Sequence, residues 1–279
     1  MTADSTVAVT GATGLVGRFI VAGLQAAGHR IDPLPGWRLG DPAPLDGCDA
    51  LIHAAFAHLP GRYRGGEGDD PAGFISANLD GTLRLFRDAR RTGVRQVVFL
   101  SSRAVYDGLP PGTFLPDGTP PRPHSLYGQV KLQAETALAS MAGPDFATTS
   151  LRATGIYGPG PGHKWTALFA DFLAGRPILS RVGTELHGDD LAAAILLILR
   201  EGVQGLLNAS DLVLDRHDLL AEVAQLTGCP HRLPDRADRA GLSVMGCGRL
   251  EKLGWRPGGM DRLRADLPRM LRDFGFLQT

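Results

Sequence analysis

The stretch Val9-Thr10-Gly11-Ala12-Thr13-Gly14-Leu15-Val16-Gly17 constrains this chain more than any other. Its three glycines follow a short apolar run, Thr6 to Thr10. They open a helical run from about Leu15 to Ala27, which Gly28 is placed to end. Glycine lets a backbone turn tightly and approach a ligand without a Cβ clash. A helix that starts at such a loop aims free N–H groups and a partial positive charge at an anion. Strand, glycine loop and helix in that order are what a dinucleotide pyrophosphate requires; a purely structural tight turn is the other reading. Around the loop, Gly11, Thr13, Gly14, Leu15, Val16 and Gly17 are the candidate pyrophosphate contacts.

The rest of the chain continues the alternation. Strands are expected at His29 to Leu34, weakened by prolines, and at Ala50 to Ala55, Gln96 to Ser101, Ala147 to Arg152 and Leu206 to Ala209. Helical periodicity covers Phe74 to Arg91, Tyr127 to about Met141, Trp165 to Ala174, Asp190 to Arg200, Arg216 to Leu226 and about Met260 to Phe274. Asp215 precedes one of these helices as a plausible N-cap. The proline-rich stretch Asp107 to His124 reads as a loop. Such alternation specifies an α/β fold with a parallel sheet covered on both faces. After Tyr157-Gly-Pro-Gly the pattern becomes irregular, as expected of a second, smaller lobe packed directly on the first.

Composition narrows the partners. Of 279 residues, 43% are hydrophobic, which suits one large domain with a small lobe. Lys+Arg and Asp+Glu both total 29, so charge gives no support to nucleic acid or an anionic membrane as partner. Cys48, Cys229 and Cys247 show no metal-ligand spacing; no metal site is expected, and sparse thiols fit a cytoplasmic protein. The start, Met-Thr-Ala-Asp-Ser-Thr, has no basic and apolar signal region, and the longest apolar run, Leu191 to Leu199, is too short to span a bilayer.

Tyr127 and Lys131 lie one helical turn apart, on one face. A phenol ionises near about pH 10, but a fixed ammonium beside it stabilises the phenolate and brings proton transfer within reach at neutral pH. Taken alone, the pair is also what a packed aromatic with a snorkelling lysine looks like. The cofactor's second signal is divided. An acid at the end of the second strand would hold an NAD ribose. Here Pro35 falls near that place and Asp32 comes early, whereas Arg18 and Arg38 could bind the 2′-phosphate of NADP or remain solvated. NADP is the expectation, with NAD the alternative.

With these residues in hand, the chain resembles the extended short-chain dehydrogenase/reductases, specifically the NAD-dependent epimerase/dehydratase family. The resemblance rests on Thr10-Gly-Ala-Thr-Gly-Leu-Val-Gly17, His53-Ala-Ala, Asn78-Leu-Asp-Gly-Thr82, Leu100-Ser-Ser-Arg-Ala-Val-Tyr106, Tyr127-Gly-Gln-Val-Lys131, Leu151-Arg-Ala-Thr-Gly-Ile-Tyr-Gly-Pro159 and His187-Gly-Asp-Asp190, in family order, with Leu253-Gly-Trp-Arg-Pro257 beyond them. It implies a Rossmann-type doubly wound sheet over residues 1–158, to which 187–210 returns, and a substrate-binding lobe from 159–186 and 211–279. It implies that Tyr127 is the acid/base, that Lys131 lowers its pKa and holds the nicotinamide ribose, and that Ser102, rather than its neighbour Ser101, holds the substrate oxygen. Ala54, Ala55, Asn78 and Tyr157 would line or position the cofactor path, and His53 would be a packed histidine. A homodimer through the helices at Phe74 to Arg91 and Tyr127 to Met141 is likewise only implied.

The resemblance also marks where this chain departs. Arg103 and Ala104 stand where dehydratases carry an Asp-Glu pair, so sugar 4,6-dehydration is not expected. Gly183 falls near the place of an arginine that holds a nucleotide-sugar diphosphate; Lys164 or Arg181 could substitute, and Arg103 and His124 could face substrate. The expected activity is hydride transfer to or from a hydroxyl carbon of a sugar-like or carbonyl substrate. A nucleotide-sugar epimerase is the alternative. A dinucleotide-binding regulator without turnover has no need of Ser102, Tyr127 and Lys131 together.

Overall fold

Apolar runs separated by amphipathic helices leave each strand buried on two faces, and the chain solves this with a parallel sheet between helical layers. In the computed structural model, residues 4–59 and 66–277 are described. In chain order the elements are β1 (Thr6–Thr10), α1 (Gly17–Ala26), β2 (Arg30–Asp32), β3 (Ala50–His53), α2 (Pro71–Ile75), α3 (Gly81–Arg91), β4 (Gln96–Ser102), β5 (Phe114–Leu115), α4 (Leu126–Ser140), β6 (Ala147–Ala153), β7 (Gly155–Tyr157), α5 (Thr166–Leu173), β8 (Val182–His187), α6 (Gly188–Glu201), β9 (Gly205–Ala209), β10 (Leu212–Asp215), α7 (Arg216–Thr227), β11 (Val244–Met245), α8 (Gly248–Lys252) and α9 (Gly259–Arg272).

Six parallel strands form the main sheet in the order β2-β1-β3-β4-β6-β9. Alternate residues of each strand feed opposite faces. Val7, Val9, Ile52, Leu100 and Leu151 pack with Ile20 of α1 and Leu191 and Ile195 of α6. Ala8, Leu51, Val97 and Phe99 pack with Leu85 and Phe86 of α3 and Leu138 of α4. The chain runs outward from β1 to β2, then returns to β3 on the other side of β1. That reversal opens a crevice at the carboxyl ends of β1 and β3, the place where such sheets take ligands.

A second sheet, β10-β8-β7, starts just beyond the end of β6 and builds a separate core. Tyr157, Trp165, Phe169, Phe172, Leu214 and Leu219 fill it, closed by Leu263, Leu267 and Met270 of α9. Residues 205–209 rejoin the main sheet as β9. Asp215 accepts from the His217 N–H and caps α7, as the sequence suggests. No helix among the described residues is long and apolar enough to cross a membrane.

Several boundaries differ from the sequence expectation. The helix after the glycine loop starts at Gly17, not Leu15, because residues 11–16 are spent in turns. The second strand stops at Asp32, where the Asp32 carboxylate accepts the Leu34 N–H and turns the chain before Pro35. The run from Phe74 to Arg91 is interrupted by a π-helical turn at Ser76–Asp80. The expected loop from Asp107 to His124 contains β5, which pairs with β11 far along the chain.

The motif His187-Gly-Asp-Asp190 is a joint. His187 Nδ1 accepts the Asp189 N–H and caps α6, while the Asp190 carboxylate accepts the Gly258 N–H. Trp255, buried in the core, donates its Nε1–H to the Asp190 carbonyl at 2.9 Å. Truncating Trp255 to alanine should cost about 3–5 kcal/mol of unfolding free energy. Urea unfolding measures this, and a loss below about 1 kcal/mol would show that the C-terminal segment is not anchored there.

Candidate active site

The glycine loop lies open at the crevice. Gly11 has φ +69°, and a Cβ on it would stand 2.9 Å from the Ala55 nitrogen, so the loop presses on the chain leaving β3. A Cβ on Gly17 would strike the Gly11 carbonyl, which holds the first turn of α1 against the loop. α1 has no side-chain cap at its N-cap position and no acid in its first turn. α1 shares the lack of a side-chain cap with α3, α5, α8 and α9, so it is the glycine loop beside its uncapped start that suits an anion there. This cradle fits a pyrophosphate.

Under the crevice is a buried knot. Thr10 Oγ1 accepts the N–H groups of Ala54 and Ala55, both at 3.1 Å. With its lone pairs used, its proton goes to His53 Nδ1 at 2.7 Å. His53 Nε2–H then meets Thr82 Oγ1 of α3 at 2.9 Å. Burial, with Lys131 nearby, pushes the His53 pKa down to about 3. Asn78 fixes the same loop from the π-turn: it accepts the Ala57 N–H and donates to the carbonyls of Ala57 and Phe74.

Ser102 ends β4, with its Oγ accepting the Ala104 N–H as the chain turns. Ser125 caps α4, and Tyr127 and Lys131 follow in its first turns. A Cβ on Gly128 would run into the Ala104 carbonyl, so this glycine lets the Tyr127 helix lie directly against the turn after Ser102. Lys131 Nζ donates to the Leu100 carbonyl at 2.8 Å and sits over the rings of Phe56, Phe99 and Tyr127 at 4.5, 4.7 and 5.8 Å. Burial lowers its pKa to about 7, with Glu135 opposing the fall. Sequence reasoning passed over Phe56, whose ring meets Tyr127 edge-on at 4.9 Å. It also passed over Glu135, although a carboxylate one turn beyond Lys131 on the same helix face was a readable sign.

Other sequence candidates lie apart from this centre. The Arg18 guanidinium is committed to the carbonyls of Pro159 and Pro161. Arg38 is exposed on the turn after β2, its N–H on the Asp41 carboxylate. Tyr157 is fully buried in the second lobe, stacked on Trp165, so it packs that lobe's core. Arg103 donates to the Ser243 carbonyl, and His124 is exposed with its N–H on Asp107. Lys164 pairs with Glu185 beside a second-lobe pocket of about 190 Å³ that Arg181 and Arg216 also line.

Residues 42–209 match the sequence profile of the NAD dependent epimerase/dehydratase family. The chain belongs to this family. The match begins beyond the glycine loop, so the loop's geometry is independent support for a dinucleotide site. The chain is 29% identical over 261 residues to a ceramide reductase of Caulobacter vibrioides, covering 83% of this chain and 73% of that protein. It is 29% identical over 195 residues to a 3-beta-hydroxysteroid dehydrogenase of Mycolicibacterium neoaurum, covering 61% and 52%. Its fold matches that of a UDP-glucose 4-epimerase of Thermotoga maritima, solved with UDP-glucose, with TM-score 0.77 and 22% identity over 96% of this chain and 98% of that one. It is an enzyme of the extended short-chain dehydrogenase type that binds NAD or NADP.

The His53 knot carries a pH signature. The unfolded chain protonates His53 near pH 6.5, while the folded chain refuses the proton until about pH 3. Stability from this group is therefore whole above pH 6.5 and falls as pH drops through that window, by at most about 1.4 kcal/mol per pH unit. A His53→Gln variant should lose that share of the acid-side slope in urea unfolding between pH 7 and pH 4. An unchanged slope would mean that His53 is not held neutral.

Proposed function

We propose that the protein is a dehydrogenase or reductase that interconverts a hydroxyl and a carbonyl carbon, with Tyr127 as acid/base. The observation that carries this reading is the contact of Gly128 with the turn after Ser102, which brings the Tyr127–Lys131 helix to the carboxyl end of β4. When bound, the nicotinamide supplies the hydride or accepts it. The chain holds its pyrophosphate at the α1 start through Gly11, Thr13, Gly14, Leu15, Val16 and Gly17, with Ala54 and Ala55 along the path and Asn78 behind them. Ser102 Oγ and Tyr127 Oη hydrogen-bond the substrate oxygen. Tyr127 takes the hydroxyl proton on oxidation and returns it on reduction, and the Lys131 ammonium stabilises the phenolate between the two. General acid–base help of this kind is worth about 10²–10⁴-fold.

The relative named ceramide reductase favours the reductase reading. The cationic pocket of Lys164, Arg181 and Arg216 favours a second, a nucleotide-sugar epimerase, because it could receive a phosphate-bearing substrate. The two differ in net redox change: an epimerase retains its dinucleotide through purification and leaves substrate oxidation state unchanged. Tyr127→Phe should bind dinucleotide as the wild type does and lose turnover by at least about 10²-fold. Steady-state assay across hydroxy, keto and nucleotide-sugar substrates reads this, and full activity in the variant would sink the acid/base role.

We further propose NADP as the preferred cofactor. Asp32 spends a carboxylate oxygen on the Leu34 N–H, three residues short of where Pro35 replaces the ribose-holding acid. Arg18 is held by the Pro159–Pro161 loop, which leaves Arg38, exposed on the turn after β2, as the cation among the described residues offered to a 2′-phosphate. Arg38→Ala should raise the KM for NADP about tenfold, the worth of one charge-assisted contact, with little change for NAD. A wild-type preference for NAD would overturn this.

A further inference from the structure

We propose that Glu135 is the positioning residue of the catalytic pair: its buried carboxylate, fixed by Arg152 and Ser101, keeps the Lys131 ammonium charged and holds the Tyr127 helix in register with the strand that ends at Ser102. The inference rests on the reading of Tyr127 as acid/base, and it concerns what makes that tyrosine usable.

Glu135 is 2% exposed and Arg152 1%, in the middle of the molecule. Glu135 Oε1 accepts from Ser101 Oγ at 2.5 Å and from Arg152 Nε at 2.9 Å, and Oε2 accepts from Arg152 NH2 at 2.5 Å. Ser101 precedes Ser102 on β4, Arg152 lies on β6, and Glu135 follows Lys131 by one turn on α4. A single carboxylate therefore joins all three elements that carry or border the catalytic groups. A pair buried this deeply gives little net stability over an apolar pair of equal size, so stability alone is a weak reason for it.

The charge has a use one turn away. Lys131 is itself buried, and the described groups in contact with its ammonium are a carbonyl and aromatic ring faces rather than a carboxylate. β4 supplies the Leu100 carbonyl and the Phe99 ring; the segment after β3 supplies the Phe56 ring. β3 supplies His53, held neutral. α4 supplies Tyr127 and Glu135, and the Arg152 charge from β6 is taken up by Glu135. Glu135 is thus the anion that opposes the loss of charge burial imposes on Lys131. Without it burial would carry the Lys131 pKa below the value of about 7 that it has with Glu135 in place, and a neutral amine stabilises no phenolate.

The test uses the pH profile of kcat/KM for alcohol oxidation, where the rise with pH belongs to the coupled Tyr127–Lys131 pair. It is run on wild type, Ser101→Ala, Glu135→Asp and the double variant Glu135→Gln/Arg152→Met, which removes both charges so that no buried ion is left alone. Circular dichroism and dinucleotide affinity report that each is folded. Alongside, ultraviolet titration of the cofactor-free protein, differenced against Tyr127→Phe in the same background, follows the Tyr127 phenolate without any substrate. The double variant should move both the activity limb and the phenolate titration up, because the carboxylate it removes sits one turn from Lys131, but by less than the pH unit or more that a lone opposite charge is worth, since Arg152 goes with it. Ser101→Ala, which deletes a hydrogen bond but no charge, and Glu135→Asp, which keeps the charge, should leave both in place. A folded double variant with neither curve moved overturns the inference. Turnover surviving Tyr127→Phe would instead overturn the acid/base reading, and the phenolate titration would still decide the role of Glu135.

Discussion

The buried Glu135–Arg152 pair is the constraint around which the rest of the molecule is arranged. Two charges taken out of water persist only if their hydrogen-bonding capacity is met, and here it is met by elements distant in sequence. Arg152 gives Nε and NH2 to Glu135 and NH1 to Tyr106 Oη. Tyr106 Oη–H donates to Asn208 Oδ1 on β9, and Asn208 Nδ2 donates to the carbonyls of Leu115 and Gly246 beside the small β5–β11 sheet. The chain of bonds runs from α4 through three strands of the main sheet to the strap that crosses from residues 107–124 to the C-terminal region. α4, with Tyr127 and Lys131 in its first turns, is thereby tied to several elements at once.

The cofactor side is held by a different device. At the sheet's reversal point, space rather than charge is limiting: Gly11 and Gly17 are close to other backbone, and the chain leaving β3 is drawn in by the Thr10 hydroxyl. His53 completes that knot by being neutral, bridging two threonine hydroxyls on different elements. The resulting loop is closely approached backbone at the crevice, a shape that suits a pyrophosphate.

How much of this is legible in the sequence follows from the range of each interaction. The strands β1, β3, β4 and β6 are apolar runs because both their faces are buried, and they were readable with their helices. The glycine loop, Ser102 and the Tyr127–Lys131 spacing were readable because each is local. β7, β8 and β10 were not: Gly155–Tyr157 has three residues, and Val182–His187 buries the polar Thr184 and follows it with the charged Glu185, so no apolar run or alternation marks them. β5 and β11 are two residues each and exist only because they meet. The π-turn at Ser76–Asp80 hid inside a helical pattern because it leaves the apolar face continuous. Glu135 and Arg152 look like ordinary surface charges until the fold buries them together.

Arg18 joins the two halves of the molecule. It is the first residue after the glycine loop and would be the natural reader of a phosphate at the α1 start, yet its terminal nitrogens hold the carbonyls of Pro159 and Pro161. Asp273 secures the same loop from the other side by accepting the Gly160 N–H. The loop Gly158-Pro-Gly-Pro-Gly162 has few side chains of its own, and these two polar anchors hold it from both sides. A cation used this way is unavailable to the cofactor unless the loop lets go.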